Sequence, residues 1–349
     1  MSDHPSGPRG RGASANPPGR FEHLEVVSDE APPDRVTTQY LRDDSRSIVT
    51  RNESPDVPFA VSINPYRGCE HGCTYCYART YHEYLGFSAG LDFETRILVK
   101  EDAPKLLRTE LDSSRWRPQV LGISGITDPY QPIERRLEIT RRCLEVLAEY
   151  RNPVALITKN ALVTRDLDHL GELARHDSAS VAISITTLDV SLTRRMEPRT
   201  SSPRERLKTL ERLAASGIPC GVSLAPVVPG LTDHEIPEIL QAAAEHGATW
   251  AHWLLLRLPG AVEGIFSTWL EQTFPDRTDK VLNRIRSLRQ GELSDSRFGR
   301  RMRGEGVFAE QIRALFQTGI QRYGLKSVAP RLSTAAFRRP GGYQVNMDY

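Results

Sequence analysis

The chain has 349 residues, of which 26% are charged, and a formal net charge of +2 at pH 7. This length is enough to bury a sizeable core, and the near balance of charge identifies no partner by itself. The N-terminus lacks the apolar core of a signal peptide, and no apolar run approaches the roughly 18 residues that a membrane span needs. We therefore expect a cytoplasmic protein without a membrane segment, and not a secreted disulfide scaffold.

In chain order, residues 1–45 are rich in Pro, Gly, Arg, Ser and Asp, which predicts a disordered tail. From residue 46 onward, strand-like apolar runs alternate with helix-period segments, as is typical of parallel βαβ units. The predicted strands span 59–63, 119–123, 154–158, 180–186, 219–225 and 250–257. The predicted helices span 137–150, 164–175, 203–216 and 234–246. These elements give an α/β core over 46–260, followed by a helical C-terminal extension over 261–325 and a tail over 326–349.

Three of the five cysteines, Cys69, Cys73 and Cys76, lie within eight residues directly after the first predicted strand. Thiolates are the usual ligands of iron in iron-sulfur clusters, and three of them leave one iron of a cubane cluster open. An incomplete ligand set invites a small molecule to complete it. Gly68 and Gly72 can take positive φ and let backbone amides approach the cluster. Residues 77–85 have the composition of a helix whose positive end faces the cluster.

Two other interpretations of the three cysteines are open. Disulfides are disfavoured because the chain has no secretory signal. Zinc is the stronger alternative, with His71 or His82 completing a Cys3His site. However, structural zinc usually takes its ligands as two separated pairs, and the sequence has no second pair.

The spacing Cys69-x3-Cys73-x2-Cys76, with Tyr75 before the last cysteine, resembles the signature loop of the radical S-adenosylmethionine (radical SAM) superfamily. That resemblance implies a partial (β/α)6 TIM-like barrel in which the three thiolates hold a [4Fe-4S] cluster. It implies that S-adenosylmethionine chelates the open iron, that Tyr75 lies near the adenine, and that reductive cleavage of the cofactor gives a 5′-deoxyadenosyl radical. It also implies an electron donor such as flavodoxin or ferredoxin.

Polar residues follow the later strands, at the edge where parallel sheets place their ligands. Thr127 and Asp128 are candidates to receive an ammonium group, although an Asp-Pro turn is the alternative. Lys159 can neutralise a carboxylate, although isolated lysines are usually solvated. The strand ends at Lys159 and Ser184 resemble those of the spore photoproduct lyase-like branch, sometimes labelled DNA repair photolyase. This resemblance implies that both residues contact the methionine part of S-adenosylmethionine.

The sequence indicates the cofactors more clearly than it indicates the substrate. The resemblance makes a nucleic-acid lesion a candidate, but spore photoproduct lyases use an additional late cysteine to return hydrogen, and no equivalent is evident here. Cys143 fits a helical core position, and Cys220 opens the fifth predicted strand. The alternative function is a non-catalytic metal-binding protein associated with nucleic acid, favoured by the Arg-Gly-Arg-Gly run at 9–12 and by a basic stretch. The basic stretch, which is otherwise a solvated helix face, comprises Arg284, Arg286, Arg289, Arg297, Arg300, Arg301 and Arg303.

Overall fold

The computed structural model describes residues 7–21, 35–57 and 59–340. The strands are β1 (Gln39–Arg42), β2 (Val49–Arg51), β3 (Val61–Ile63), β4 (Tyr66–Arg67), β5 (Arg96–Val99), β6 (Leu121–Ile123), β7 (Val154–Thr158), β8 (Ala179–Ser184), β9 (Cys220–Val227) and β10 (Trp250–Leu255). The six predicted strands correspond to β3 and β6–β10. They lie side by side in chain order and in parallel, with β2 added antiparallel to β3 at one edge. This arrangement is the predicted partial (β/α)6 barrel.

The sheet forms here because its strands are short apolar runs that helices can cover on the outside. All six residues of β8 are buried, as expected of a central parallel strand. The register aligns Leu121 with Val154 and Val154 with Ala179. Because neighbouring strands start at the same level, their carboxyl ends meet at one edge of the sheet.

The helices are α1 (Leu91–Thr95), α2 (Ala103–Asp112), α3 (Glu134–Leu137), α4 (Ile139–Tyr150), α5 (Leu167–Ala174), α6 (Val190–Met196), α7 (Pro203–Ala215), α8 (Ile236–Glu245), α9 (Val262–Thr273), α10 (Pro275–Ser287) and α11 (Val307–Arg322). The four predicted helices correspond to α4, α5, α7 and α8. Helix α7 starts where the Ser202 hydroxyl accepts a hydrogen bond from the Glu205 amide, and it ends before Gly217, which has a φ of 68°.

The segment 77–85 differs from the predicted helix. It forms two 3₁₀ turns, Tyr77–Tyr81 and Glu83–Leu85, because its amides bond to carbonyls three residues earlier rather than four. The prediction also lacked α2, which buries Leu107 and Leu111 on one face.

Parts of the two predicted tails have defined contacts with the core. Strand β1 pairs with β5, and residues 7–20 lie against the cysteine loop. At the other end, Lys326 forms a parallel bridge with Trp250, and the Arg339 guanidinium donates to the carbonyls of Leu111 and Trp116. Backbone groups make many of these contacts, so composition does not reveal them. The rest of the predicted tails, residues 1–6, 22–34 and 341–349, lies outside the described residues.

The predicted helical extension contains α9–α11, but residues 288–306 between α10 and α11 are mostly turns. Arg301 of this connection donates to Asp56 and Ser54, which follow β2, and the Met302 carbonyl accepts from the Leu255 amide at the end of β10. Within the described ranges, no helix is both long enough and apolar enough to cross a membrane.

The basic stretch is largely used inside the molecule. Arg289 is buried and donates to the Leu256 carbonyl, and Arg303 lies over the ring of Trp253. Four other arginines of the stretch pair with carboxylates: Arg284 with Asp233, Arg297 with Asp295, Arg300 with Glu305 and Arg301 with Asp56. Arg286, Arg297 and Arg300 are exposed, so polyanion binding by part of the stretch stays a prediction.

Candidate metal centre and cofactor site

The cysteine loop follows β3 and crosses the carboxyl edge of the sheet. Gly68 and Gly72 have φ values of 80° and 65°, in the left-handed region that glycine adopts without strain. The Cys69 amide donates to the Phe93 carbonyl at 2.8 Å, and the Thr74 amide donates to the Met196 carbonyl at 3.1 Å. The loop is thus held to two distant segments by its own backbone.

The three thiols of the loop share one protected environment. Cys69 and Cys73 are buried, and Cys76 is half-buried. Burial raises the pKa of all three thiols; the charge of Asp128 adds to the rise at Cys69 although its amide opposes it, and the Arg79 charge and the Ala78 amide oppose the rise at Cys76. Amides that point at sulfur stabilise thiolates bound to a cluster. The donor set therefore fits a [4Fe-4S] cluster.

Of the two histidines considered for zinc, His71 has polar partners elsewhere, whereas Nε2 of His82 is buried without a hydrogen-bond partner among the described residues. The His71 ring nitrogens lie 3.4 Å from Asp128 Oδ2 and 3.2 Å from Asn160 Nδ2, and the His82 ring lies against Phe87. Among the described residues, no group of three or more His, Cys, Asp or Glu side chains is placed to hold one metal ion. A mononuclear zinc site needs its ligands within about 2.3 Å of a single point, whereas a cubane distributes three thiolates over three irons. Three thiolates that do not converge on one point are compatible with a cluster, which takes one thiolate at each of three irons.

Lys159, at the end of β7, lies at the centre of the polar groups near the loop. Its Nζ donates to the Ala225 carbonyl at 2.9 Å and lies 3.4 Å from Glu197 Oε1. The same ammonium lies 5.7 Å from the centre of the Tyr75 ring. Lys159 therefore links the cysteine loop to Ala225 of β9 and to Glu197, and it is not a freely solvated lysine.

Glu197 is a buried carboxylate that the sequence analysis did not single out. It accepts hydrogen bonds from the hydroxyls of Tyr75 and Thr186 and pairs with the Arg206 guanidinium. Burial favours the neutral acid, but Arg206 and Lys159 together hold the pKa of Glu197 well below its usual range. Glu197 is thus an anion between two cations. Its position in the Arg-Arg-Met-Glu-Pro-Arg segment after β8 was the one available sequence signal.

Thr127 and Asp128 lie beside the loop, and both make internal hydrogen bonds. The Thr127 hydroxyl donates to the Tyr66 carbonyl at 3.2 Å. Asp128 accepts from the Thr158 hydroxyl at 2.7 Å and from the Lys159 amide at 2.8 Å. Burial raises the pKa of Asp128, but His71 and these donors lower it overall. Their role toward an ammonium group stays a prediction, while Asp128 visibly fixes the end of β7.

Ser184 is buried at the end of β8, and its carbonyl accepts from Arg206 at 2.9 Å. The neighbouring hydroxyl of Thr186, rather than that of Ser184, lies beside Lys159 Nζ, at 3.5 Å. The role assigned to Ser184 by the resemblance therefore also stays a prediction. Thr186 is a further residue at this site that the sequence analysis did not select.

The loop after β6 has an unusual backbone next to the cysteines. Ser124 and Gly125 have φ values of 129° and 142°. The Gly125 carbonyl accepts from the Tyr77 hydroxyl, and Ile126 packs against the cluster formed by Cys69, Ala78 and Phe93. A non-glycine residue at such a φ is rare and often occurs at functional sites.

The two remaining cysteines lie in the main core. Cys143 is fully buried in α4, and the Cys220 thiol points at the carbonyls of Leu210 and Gly247. Both belong to a hydrophobic cluster separate from the two that contain the loop cysteines.

Comparison with known proteins agrees with this geometry. Residues 63–243 match the family model described as the radical SAM superfamily. An uncharacterised protein of Mycobacterium tuberculosis is 37% identical over 234 residues, which are 66% of this chain and 68% of that protein. The radical SAM Nalpha-GlyT isomerase of Pseudomonas phage M6 is 25% identical over 57% of this chain and 42% of its own length. Spore photoproduct lyase complexed with dinucleoside spore photoproduct has the same fold, with a TM-score of 0.61 at 17% identity over 82% of this chain and 81% of that one.

Proposed function

The chain belongs to the radical SAM superfamily, whose members use a [4Fe-4S] cluster and S-adenosylmethionine, and we propose that this enzyme abstracts hydrogen from a nucleic-acid substrate. The chemistry that the two cofactors supply together is one-electron cleavage of a carbon–sulfur bond, which yields methionine and a 5′-deoxyadenosyl radical. The observation that carries the proposal is the set of three thiols at the carboxyl edge of the sheet, beside Lys159.

The residues of the chain bind and orient the cofactors. Cys69, Cys73 and Cys76 would hold the cluster through their thiolates. Lys159, whose charge is balanced only in part by Glu197 at 3.4 Å, neutralises the carboxylate of the methionine part. Tyr75, fixed through its hydroxyl by Glu197, presents its ring toward the adenosine side. The burial of Cys69, Cys73 and Tyr75 limits the access of water to the site.

A surface next to the loop supports a nucleic-acid substrate. We call it the aromatic face. It consists of Phe21, Tyr77, Tyr81 and Tyr84 together with Arg20 and Arg257. Tyr84 and Phe21 are 66% and 55% exposed, and Arg20 lies over both rings. Exposed aromatic rings interleaved with cations are the features that bind unpaired bases and their phosphates.

Arg257 gives this face an available positive charge. It lies over the Tyr77 ring at 5.2 Å, and among the described residues its side chain donates to the sulfur of Met302 rather than to a carboxylate. Burial and the nearby Arg301 lower the pKa of Arg257, so a phosphate would stabilise its charged form. The solved spore photoproduct lyase complex, which has this fold, contains a dinucleoside ligand.

The experiment is anaerobic reconstitution with iron and sulfide, followed by dithionite and S-adenosylmethionine, with 5′-deoxyadenosine measured in the presence and absence of ultraviolet-irradiated DNA. We expect 5′-deoxyadenosine from the reconstituted protein, with more of it when the DNA is present. An intact cluster that yields no 5′-deoxyadenosine would contradict the enzyme proposal. Turnover that is indifferent to every form of DNA and RNA would contradict the nucleic-acid substrate alone. A flavodoxin or ferredoxin is the proposed natural electron donor and can replace dithionite in the same assay.

A further inference from the structure

Residues 7–20 form an irregular segment that lies along the cysteine loop; we call it the N-terminal strap. The amides of Gly12 and Ala13 donate to the two carboxylate oxygens of Glu94, at 3.0 and 2.8 Å. Farther along the strap, the Ala15 carbonyl accepts from the Leu91 amide at 3.3 Å. The strap is therefore joined to the segment that follows the cysteine loop at several points.

The strap approaches the cysteine loop so closely that side chains do not fit between them. A Cβ at Gly12 would lie 1.7 Å from the Gly72 carbonyl oxygen, and a Cβ at Gly72 would lie 2.5 Å from Glu94 Oε2. A Cβ at Gly90 would lie 2.1 Å from the Ala15 carbonyl oxygen. Three glycines thus permit direct backbone contact between the strap and the loop region.

Glu94 connects this contact to a cluster cysteine. Its fully buried carboxylate accepts from Arg79 Nη2 at 2.5 Å as well as from the strap. Arg79 is also fully buried, and its Nε donates to the Cys73 carbonyl at 3.0 Å while Nη1 donates to the Gly90 carbonyl at 2.9 Å. One carboxylate and one guanidinium therefore link the strap to the backbone of Cys73.

The Arg-Gly run at 9–12 consequently has a role other than nucleic-acid binding or solvation. The guanidinium of Arg11 donates to the carbonyls of Glu94 and Val36, at 2.9 and 2.7 Å, while Arg9 is exposed. Within this run, Arg9 is exposed, whereas Arg11 is hydrogen-bonded to the loop region.

We propose that the N-terminal strap holds the cysteine loop in the geometry that binds the cluster, with Glu94 as the positioning residue that acts through Arg79. This inference rests on the proposed function, since it requires that the loop carry a cluster. Partners that orient metal ligands typically change metal affinity by about 10- to 100-fold when removed. The strap is thus part of the cofactor site although it supplies no ligand.

The first test is the rate of iron release to a chelator from the reconstituted full-length protein, without S-adenosylmethionine or substrate. We expect Gly12→Ala to release iron about tenfold faster than the wild type or more. Gly171→Ala is the matched control, because a Cβ there meets nothing within 4 Å. Glu94→Gln, which keeps the side-chain volume but removes the charge facing Arg79, should also accelerate release and alter the electron paramagnetic resonance spectrum of the reduced cluster.

Docking of the strap is measured separately by trypsin. We expect the wild type to be cut after exposed Arg9 and protected after Arg11, and Gly12→Ala to be cut after both. Wild-type iron release and an unchanged spectrum in Gly12→Ala with a freed strap would overturn this inference alone. If Gly12→Ala does not fold, wild-type iron release and an unchanged spectrum in Glu94→Gln would overturn the inference. A wild-type protein that binds no cluster would overturn both this inference and the proposed function.

Discussion

The two halves of the barrel mouth bury different kinds of groups. Around the cysteine loop, the Cys69 side chain packs with Ala78 and Phe93, and the buried ion pair of Arg79 and Glu94 contacts the loop at the Cys73 backbone carbonyl rather than at sulfur. Beyond β7 and β8, the buried groups are ionic, with Glu197 between the cations of Lys159 and Arg206. The first half suits a metal cluster, and the second suits a zwitterionic ligand whose carboxylate needs a cation. Tyr75 links the halves, because it belongs to the loop and donates to Glu197.

The largest effect expected is loss of the cluster from the first half. Replacing Cys73 by Ala removes one of three iron ligands, so iron and acid-labile sulfide should fall to background after reconstitution. Cys143→Ala, which removes a buried thiol from α4, should leave both unchanged. Full sulfide content in Cys73→Ala would contradict the assignment of the first half as the metal centre.

The next effect concerns folding of the second half. Arg206→Leu leaves the Glu197 carboxylate buried without its guanidinium, which should lower the free energy of unfolding by about 3–5 kcal/mol. Urea denaturation of the apoprotein measures this change. Replacing Arg204, which is exposed on the same helix, should alter the free energy of unfolding by less than about 0.5 kcal/mol. Equal stability of the two variants would show that the ionic network is not a structural requirement.

A smaller effect is expected on cofactor binding alone. Lys159→Met should weaken S-adenosylmethionine binding by about 1.5–3 kcal/mol, since it removes a charged hydrogen-bond donor, and it should leave iron content unchanged. Equilibrium dialysis with reconstituted protein gives the dissociation constant. Lys208→Met is the control, as that lysine lies on α7 and pairs with Glu205. Loss of iron in Lys159→Met would mean that the halves are not functionally separate.

The smallest effect is expected at the aromatic face, outside both halves. Tyr84→Ala should weaken binding of a single-stranded oligonucleotide by about 1 kcal/mol through loss of one stacking surface. Fluorescence anisotropy measures the affinity, with Phe308→Ala on α11 as an exposed aromatic control. An identical loss in the two variants would indicate non-specific contacts rather than a binding face.

Features carried by neighbouring residues could be predicted from the sequence, whereas contacts between distant residues could not. The cysteines were recognisable because their spacing is local, and the six parallel strands because each is a short apolar run. Glu197 was not recognisable as a site residue, since its partner Tyr75 lies 122 positions earlier and no local pattern links them. Lys159 was identified as a candidate, but its contact with Ala225 depends on strand order in the folded sheet.

For the N-terminal strap and the basic stretch, the composition of the sequence suggested fewer internal contacts than the structure shows. Composition favoured a tail for residues 1–45, yet Gly12 meets Glu94, 82 positions away, through its backbone amide, which every residue type but proline possesses. Likewise, a run of arginines does not disclose that Arg301 pairs with Asp56, 245 positions earlier. Such partners are determined by the fold and not by neighbouring residues.

The pairing of Arg301 with Asp56 has a mechanical consequence for the barrel. Strands β2 and β10 are the two ends of the large sheet and do not pair with each other. The connection 299–302 reaches from one to the other through the Arg301–Asp56 ion pair, the hydrogen bond of Gly299 to Asp56 and that of Leu255 to Met302. Separating the sheet between any two inner strands would break a continuous ladder, whereas separating it here breaks a few individual bonds. The two edges of the sheet are therefore joined by separate ionic and hydrogen bonds rather than by a strand ladder.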